Sequence, residues 1–285
     1  MNLAVDSLTT ADVPDAMGLS TQAGWNQVPS DWHLLLDLEP AGCFAGRVDG
    51  DLIATGTLVT YDGAVGWIGM ILVDEAHRRQ GYGTAIFDRV VEHADERNVA
   101  AGLDATDAGR EVYRKRDFVD ITPIERWCGE LSAADPPDGP STSHVGEVSA
   151  EDGDRVDAVC EFDRQSVGVD RGELVRHLLG EDGTTMLAAG EEVRGYAVVR
   201  PGREHDHLGP LVASSRADAE ALVAGAADVV TGTVLVDVLD VEFAESVLEP
   251  LGMEPQRHLT RMAADEPDPL LVGEDIRVAA GFELG

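Results

Sequence analysis

Chemistry is concentrated between Val73 and Ala85. His77, Arg78 and Arg79 are followed by Gln80, Gly81, Tyr82, Gly83 and Thr84, so three basic side chains lead into two closely spaced glycines. A helix starting there would offer unpaired backbone N–H groups and roughly half a positive charge, a ready seat for phosphate. Gly81 and Gly83 lack the Cβ atoms that would hold an anion away from the backbone. The basic cluster stands out because the chain has 54 acidic residues against 21 basic ones, and Lys115 is its only lysine. A glycine-rich turn without a ligand is the plainer reading of the same residues.

Spacing excludes two phosphate motifs. A P-loop ends in Gly-Lys-Ser/Thr, which does not occur here. A dinucleotide fingerprint needs a third glycine where Ile86 stands, and needs its first glycine directly after the strand. What remains is Arg78-x-x-Gly81-x-Gly83 after a strand ending in Leu72 and Val73. This resembles motif A of the GNAT N-acetyltransferase superfamily, whose loop holds the pyrophosphate of coenzyme A. The family's later helix tends to read N-x-x-A-x-x-x-Y-x-K-x-G-F. In that register Tyr113, Lys115 and Phe118 match, whereas Thr106, Gly109 and Asp117 replace the Asn, Ala and Gly. The resemblance covers roughly residues 1–130.

The resemblance implies an acetyl-CoA-dependent N-acetyltransferase working by direct attack of a primary amine, with acetyl-CoA as co-substrate and no metal. The backbone of Ile71, Leu72 and Val73 would contact the pantetheine arm, and Arg78, Arg79, Gln80, Gly81, Tyr82, Gly83 and Thr84 would hold the pyrophosphate. Tyr113 would protonate the departing thiolate, since an ordinary tyrosine with a pKa of ~10 is an acid at neutral pH; the alternative is a tyrosine that only packs. Asp104 is the candidate general base, with Glu75 or an ordered water chain as rivals. Trp25, Asn26 and Trp32 lie where the family's first helices flank the acceptor, or are simply packed aromatics. No cysteine with a partner histidine sits near this site, so a cysteine acyl-enzyme is not expected. A non-catalytic acetyl-CoA sensor is the other reading of the motif. The acceptor, a small-molecule or protein amine, is left open.

These residues need a mixed sheet to position them. Helical spacing is expected over Pro14–Trp25 and Asp31–Leu38, and strands over Cys43–Val48 and Leu52–Tyr61, joined by a tight turn at Asp49, Gly50 and Asp51. Ala64–Val73 is nearly continuous in apolar residues, as in a central strand covered on both faces. Gly69 within it suggests a bulge or a close backbone approach. Gly83–Arg97 carries Ile86, Phe87, Val90, Val91 and Ala94 on one stripe, the mark of an amphipathic helix. A short strand at Ala100–Ala105, a helix capped by Thr106 and running through Tyr113 to Arg116, and a strand from Phe118 to Cys128 complete the first half.

Pro136, Pro137, Gly139 and Pro140 mark a linker over 131–145. The second half then repeats the rhythm. Helices are expected at Ala150–Phe162, Gly172–Leu179, Arg216–Val230 and Val241–Leu251. Strands are expected at Thr185–Ala189, Gly195–Arg200, His207–Ala213, Thr233–Leu239 and His258–Met262, with an extended tail over Ile276–Leu284. The fold expected is therefore α/β (α+β, mixed sheet): two tandem GNAT-like domains, 1–130 and 146–285, each a central sheet flanked by helices. The second copy is degenerate, because no glycine follows Ala213 and Leu248 fills the tyrosine slot. It is not expected to bind coenzyme A as the first does. His205, Asp206 and His207 lack a third ligand at metal spacing and read as a solvated turn.

Composition sets the surroundings. A net charge of −33, with acids scattered along the chain, fits a halophilic protein in a very salty cytoplasm. At ~1 M salt the Debye length is only ~3 Å, which removes most of the self-repulsion. No basic patch suits nucleic acid. No apolar run approaches the ~20 residues of a membrane span. Cys43, Cys128 and Cys160 make neither an even disulfide set nor a metal pattern, and the N-terminus has no signal-peptide pattern.

Overall fold

The chain folds as two units, neither of them one stretch of sequence, in the computed structural model, which describes residues 3–131, 144–264 and 271–285. Unit 1 joins Met1–Asp120 to Met262–Leu270 and Glu283–Gly285; unit 2 holds Ile121–Arg261 and Leu271–Phe282. A cut at residue 130 follows chain order, whereas compactness divides the chain after Asp120 and returns two C-terminal pieces to unit 1. Of the expected linker, residues 132–143 lie outside the described residues.

Unit 1 contains β1 (Ala4–Ser7), α1 (Val13–Gln22), α2 (Pro29–Leu38), β2 (Cys43–Val48), β3 (Asp51–Tyr61), β4 (Val65–Val73), α3 (Tyr82–Arg97), β5 (Ala100–Ala105), α4 (Asp107–Tyr113) and the first residues of β6 (Phe118–Glu130). Strands β1 to β4 pair antiparallel in chain order, and β5 joins β4 in parallel. Asp49 and Gly50 both adopt positive φ, +53° and +96°, as the turn between β2 and β3 requires. Pro14 and Pro29 stand in the first turns of α1 and α2, where a missing N–H leaves no helix bond unmade.

The two faces of this sheet are told apart by side-chain contacts. Ile86, Phe87, Val90 and Ala94 of α3 pack on Phe44, Ala54, Leu58 and Ile68, and Met262 joins the same core. Cys43, next to Phe44, must point the other way because side chains alternate along a strand. Its thiol donates to the carbonyls of Leu35 and Glu39, at 3.6 and 3.5 Å. Helix α2, with α1 packed against it, therefore covers the face opposite α3.

Unit 2 contains β7 (Val145–Glu147), α5 (Gly153–Val167), α6 (Gly172–Gly180), β8 (Thr185–Ala189), β9 (Gly195–Arg200), β10 (Asp206–Ala213), α7 (Arg216–Ala227), β11 (Thr233–Val238), β12 (Glu254–Ala264, whose last three residues belong to unit 1) and β13 (Ile276–Val278). Its strand order is β12–β6–β11–β13–β10–β9–β8–β7, with β10 and β11 also paired in parallel. The helix expected over Val241–Leu251 is broken into an α turn, a π turn at Ala244–Leu248 and a 3-10 turn at Glu249–Leu251. Pro250 withholds a donor there and prevents a regular ladder. The extended tail is a strand only at Ile276–Val278.

His207 corrects the expectation of a solvated turn. Strand β10 begins at Asp206 and pairs with β9 and β11, which carries the imidazole inside. There its Nε2 lies 3.1 Å from Asp237, and Arg126 donates twice to the same carboxylate at 2.7 Å. Among the described residues no group of three His, Cys, Asp or Glu side chains is placed to hold a metal ion, and no helix is long and apolar enough to cross a membrane.

Candidate active site

A bulge in β4 sets the geometry of unit 1. Thr57 pairs with Gly69 and Thr55 with Leu72, so Gly56 faces both Met70 and Ile71. Met70 takes φ +50° to admit the extra residue, and the hydroxyl of Thr55 donates to its carbonyl at 2.9 Å. The insertion shifts the alternation by one. Gly69 and Leu72 face α1 and α2, while Ile71 and Val73 pack into the α3 core.

Beside the bulge the sheet opens. The β4–β5 ladder ends at Trp67 with Gly102, although β4 runs on to Val73 and β5 to Ala105. Ile71, Leu72 and Val73 thus have β3 on one side and no β5 partner on the other. An extended ligand carrying amide groups can bond to such an edge as a strand would.

The loop after β4 is braced by its own side chains. Asp74 accepts from the amide of Ala76 at 3.0 Å and lies 2.7 Å from His77 Nδ1. The hydrogen bond from His77 is the main cause that holds the Asp74 carboxyl below its ordinary range. Arg78 donates through Nε to the carbonyl of Val73 at 3.1 Å and pairs with Glu75 at 3.4 Å. Arg79 is exposed and adopts φ +61°, and Gly81 adopts φ +87°. The first helical bond closes from Ala85 N–H to the carbonyl of Gly81 at 3.0 Å. Among the described residues, the N–H groups of Gln80, Gly81, Tyr82, Gly83 and Thr84 meet no protein acceptor. Tyr82 turns its ring inward onto Val48 and Ile53, which fixes the start of α3 and leaves its amide at the open end.

Tyr113 closes α4 over the same region. The hydroxyl of Thr106 accepts from the Gly109 amide at 3.2 Å and caps the helix. Arg116 donates twice to Asp88 of α3, at 2.7 and 2.9 Å, and Arg110 and Arg114 share Asp120. The hydrogen bond from Arg110 leads the causes that pull Asp120 down to about 2. The Tyr113 ring packs on Phe87, with centroids 4.5 Å apart, and on Phe118. Gly109 departs from the family's Ala for a local reason: a Cβ there would lie 2.8 Å from Tyr113 Cε2. The ring keeps part of its surface exposed, yet its surroundings are apolar enough that burial pushes the hydroxyl up to about 12. Among the described residues that hydroxyl has no hydrogen-bond partner.

The remaining expected residues divide. Asp104, half-buried near the end of β5, points away from Leu103 and Ala105, which lie in the α3 core; it therefore shares the α1/α2 face with Gly69. Trp25 and Asn26 are half-exposed in the connection between α1 and α2. Trp32 is fully enclosed, at 0% exposure, because it lies on the buried side of α2 with Leu35. Its indole N–H is buried with no hydrogen-bond partner among the described residues.

The sequence reading missed two buried polar residues on the α1/α2 face. Gln27 Nε2 donates to Glu283 at 3.1 Å, and Glu283 abuts Gly69. Nothing local marks Gln27. Glu283 comes from the far end of the chain, and its hints are a closing segment, 280–285, that resembles the tails of two-domain GNAT members and a glycine in β4 that makes room for another backbone.

In unit 2 the matching opening is filled. β10 and β11 pair in parallel only from Asp206 with Val234 to Leu208 with Val236. Beyond that, β13 inserts between them, pairing Val278 with both Leu211 and Val238. The edge that stays free in β4 is therefore satisfied by the chain's own strand.

Comparison with known proteins finds the same kind of domain in each half. The model of the Acetyltransferase (GNAT) family matches residues 12–118, and that of an Acetyltransferase (GNAT) domain matches residues 159–274. The holothin acyltransferase of Pseudoalteromonas sp. (strain SANK 73390) is 29% identical over 268 residues, covering 92% of this chain and 87% of that protein. The crystal structure of a candidate acetyltransferase from Pyrococcus horikoshii superposes with a TM-score of 0.83 at 22% identity, covering 99% of this chain and 96% of that one. A tandem GNAT protein from the clavulanic acid biosynthesis pathway superposes with a TM-score of 0.62 at 17% identity, covering 94% of this chain and all (100%) of the other.

Proposed function

Because the chain belongs to the GNAT acetyltransferase superfamily, with a domain of that kind in each half, we propose that unit 1 carries the acetyl transfer from acetyl-CoA to an amine and that unit 2 binds no coenzyme A in the same manner. The observation that carries this reading is the contrast between the two openings. In unit 1 the edge of Ile71–Val73 is unpaired and five amides point at no acceptor; in unit 2 the equivalent edge is occupied by β13.

The pyrophosphate sits against the amides of Gln80 to Thr84, with Arg78 and Arg79 adding charge. The pantetheine arm lies along Ile71–Val73 as an extra strand. The thioester carbonyl then stands near the bulge, and the amine arrives over the α1/α2 face, past Trp25 and Asn26. Attack forms the C–N bond and breaks the C–S bond, and Tyr113 hands its proton to the leaving thiolate. The ammonium must first lose a proton to a carboxylate on the α1/α2 face, where Asp104 is found.

The test is free thiol release from acetyl-CoA over a panel of amines, in molar KCl. Turnover that depends on amine supports the reading. Acetyl-CoA binding without turnover on any amine would leave a sensor in its place.

A further inference from the structure

Polar groups that the reaction above leaves unused gather beside the bulge. The last three residues of the chain belong to unit 1, and Tyr61 pins them by donating to the carbonyl of Leu284 at 2.6 Å. Glu283 is 4% exposed. Its backbone runs against Gly69, where a Cβ would stand 2.8 Å from the Glu283 Cα and 3.0 Å from its Cβ. Gln27 donates to its carboxylate at 3.1 Å. Three further groups on this face are unsatisfied: Gln27 Oε1, the indole N–H of Trp32 on α2 and the hydroxyl of Thr57, the residue paired with Gly69, are buried with no hydrogen-bond partner among the described residues. Buried polar atoms almost always find partners, and a carbonyl oxygen and a hydroxyl are suited to the N–H groups of an amine.

We propose that Glu283 is the carboxylate that takes the proton from the acceptor's ammonium group, with Gln27 and Thr57 receiving its other hydrogens, so that the acceptor is an aliphatic amine that is cationic in solution. This rests on unit 1 acting as an acetyltransferase, and it replaces Asp104 as the base. The balance is complete. The carboxylate of Glu283 becomes a carboxylic acid as the ammonium becomes a neutral amine. The nitrogen lone pair then attacks the thioester carbon, the C–S electrons leave with sulfur, and Tyr113 protonates the thiolate. The second ammonium proton leaves the nitrogen as the amide forms and restores Tyr113, and Glu283 gives its proton to water once the product has left. Glu283 acts from beside the bulge, where the thioester carbonyl lies, whereas Asp104 sits near the end of β5.

The experiment compares full-length wild type with Glu283→Gln, Glu283→Asp and Asp104→Asn in molar KCl. Butylamine and related aliphatic amines serve as charged acceptors, and aniline as one that is already neutral. Acetyl-CoA-induced thermal stabilisation is followed in parallel. Glu283→Gln is expected to lower kcat/KM for the aliphatic amines by about 10²- to 10⁴-fold with donor stabilisation unchanged. Glu283→Asp should recover part of the rate, and Asp104→Asn should lower it less than Glu283→Gln does. Equal rates for Glu283→Gln and wild type overturn the inference while leaving the acetyltransferase intact, as does a wild type that acetylates aniline but no aliphatic amine. A wild type inactive on every amine overturns both. If Glu283→Gln does not fold, Gln27→Met tests the same point: an unchanged KM for the aliphatic amine overturns the inference, and a raised KM with unchanged donor affinity supports it.

Discussion

Tyr113 combines a ring packed on Phe87 and Phe118 with a hydroxyl that no described residue engages. Burial raises its pKa to about 12, so the protonated form persists well above the ordinary range of a tyrosine. Activity that needs this proton should therefore show no alkaline loss at the usual tyrosine pKa of ~10. Tyr113→Phe should lower kcat by about 10²-fold or more, with the dissociation constant of acetyl-CoA unchanged by calorimetry. The two loop glycines separate fold from binding. At Gly81 a side chain has open space but φ is +87°, so Gly81→Ala should cost about 1–2 kcal/mol of stability. At Gly83 a Cβ makes ordinary contact with Val73 at 3.4 Å. Gly83→Ala should therefore melt close to wild type yet bind acetyl-CoA more weakly, because the methyl crowds the amides that face the phosphate.

At the scale of elements, the position of a single strand separates the two halves. β13 bonds to both β10 and β11, completing the ladder that β4 and β5 leave open. Nearby, Arg126, His207 and Asp237 form a buried set. Burial alone would raise the Asp237 carboxyl, but the charge of Arg126 and its paired hydrogen bonds outweigh it and hold the group below its ordinary range. A depressed carboxylate stabilises the fold fully above its unfolded pKa, and that contribution fades as pH falls through the folded value. Asp237→Asn leaves Arg126 without this countercharge and should cost about 3–5 kcal/mol at neutral pH. Denaturant titrations at neutral and strongly acidic pH test it: the gap between variant and wild type should narrow in acid.

For the whole molecule, a net charge of −33 dominates. Self-repulsion of this size weakens as the Debye length shrinks from ~10 Å at 0.1 M salt to ~3 Å at 1 M. The melting temperature should therefore rise between 0.1 and about 1 M KCl. Acetyl-CoA at 100 times its dissociation constant should add about 2.7 kcal/mol at either salt concentration. A fall in melting temperature with salt would remove the adaptation to high salt as the reason for the acidity.

Features that depend on near neighbours were legible before any fold was known. The turn at Asp49 and Gly50, the stripe of α3, the cap at Thr106 and the glycine loop after Val73 each follow from the conformational needs of a few consecutive residues. Their chemistry travels with them, which is why Arg78, Gly81, Gly83 and Tyr113 stood out. Gly69 announced a bulge or a close approach without revealing which; the bulge is at its neighbour Met70, and the approaching backbone is Glu283, from the opposite end of the chain. Whether His207 met water, whether Trp32 faced a cleft, which opening β13 filled and where the last three residues docked were decided by tertiary structure. Each of these depends on pairings between distant segments, whose closure is a property of the assembled sheet and leaves no periodic signal in the residues that take part.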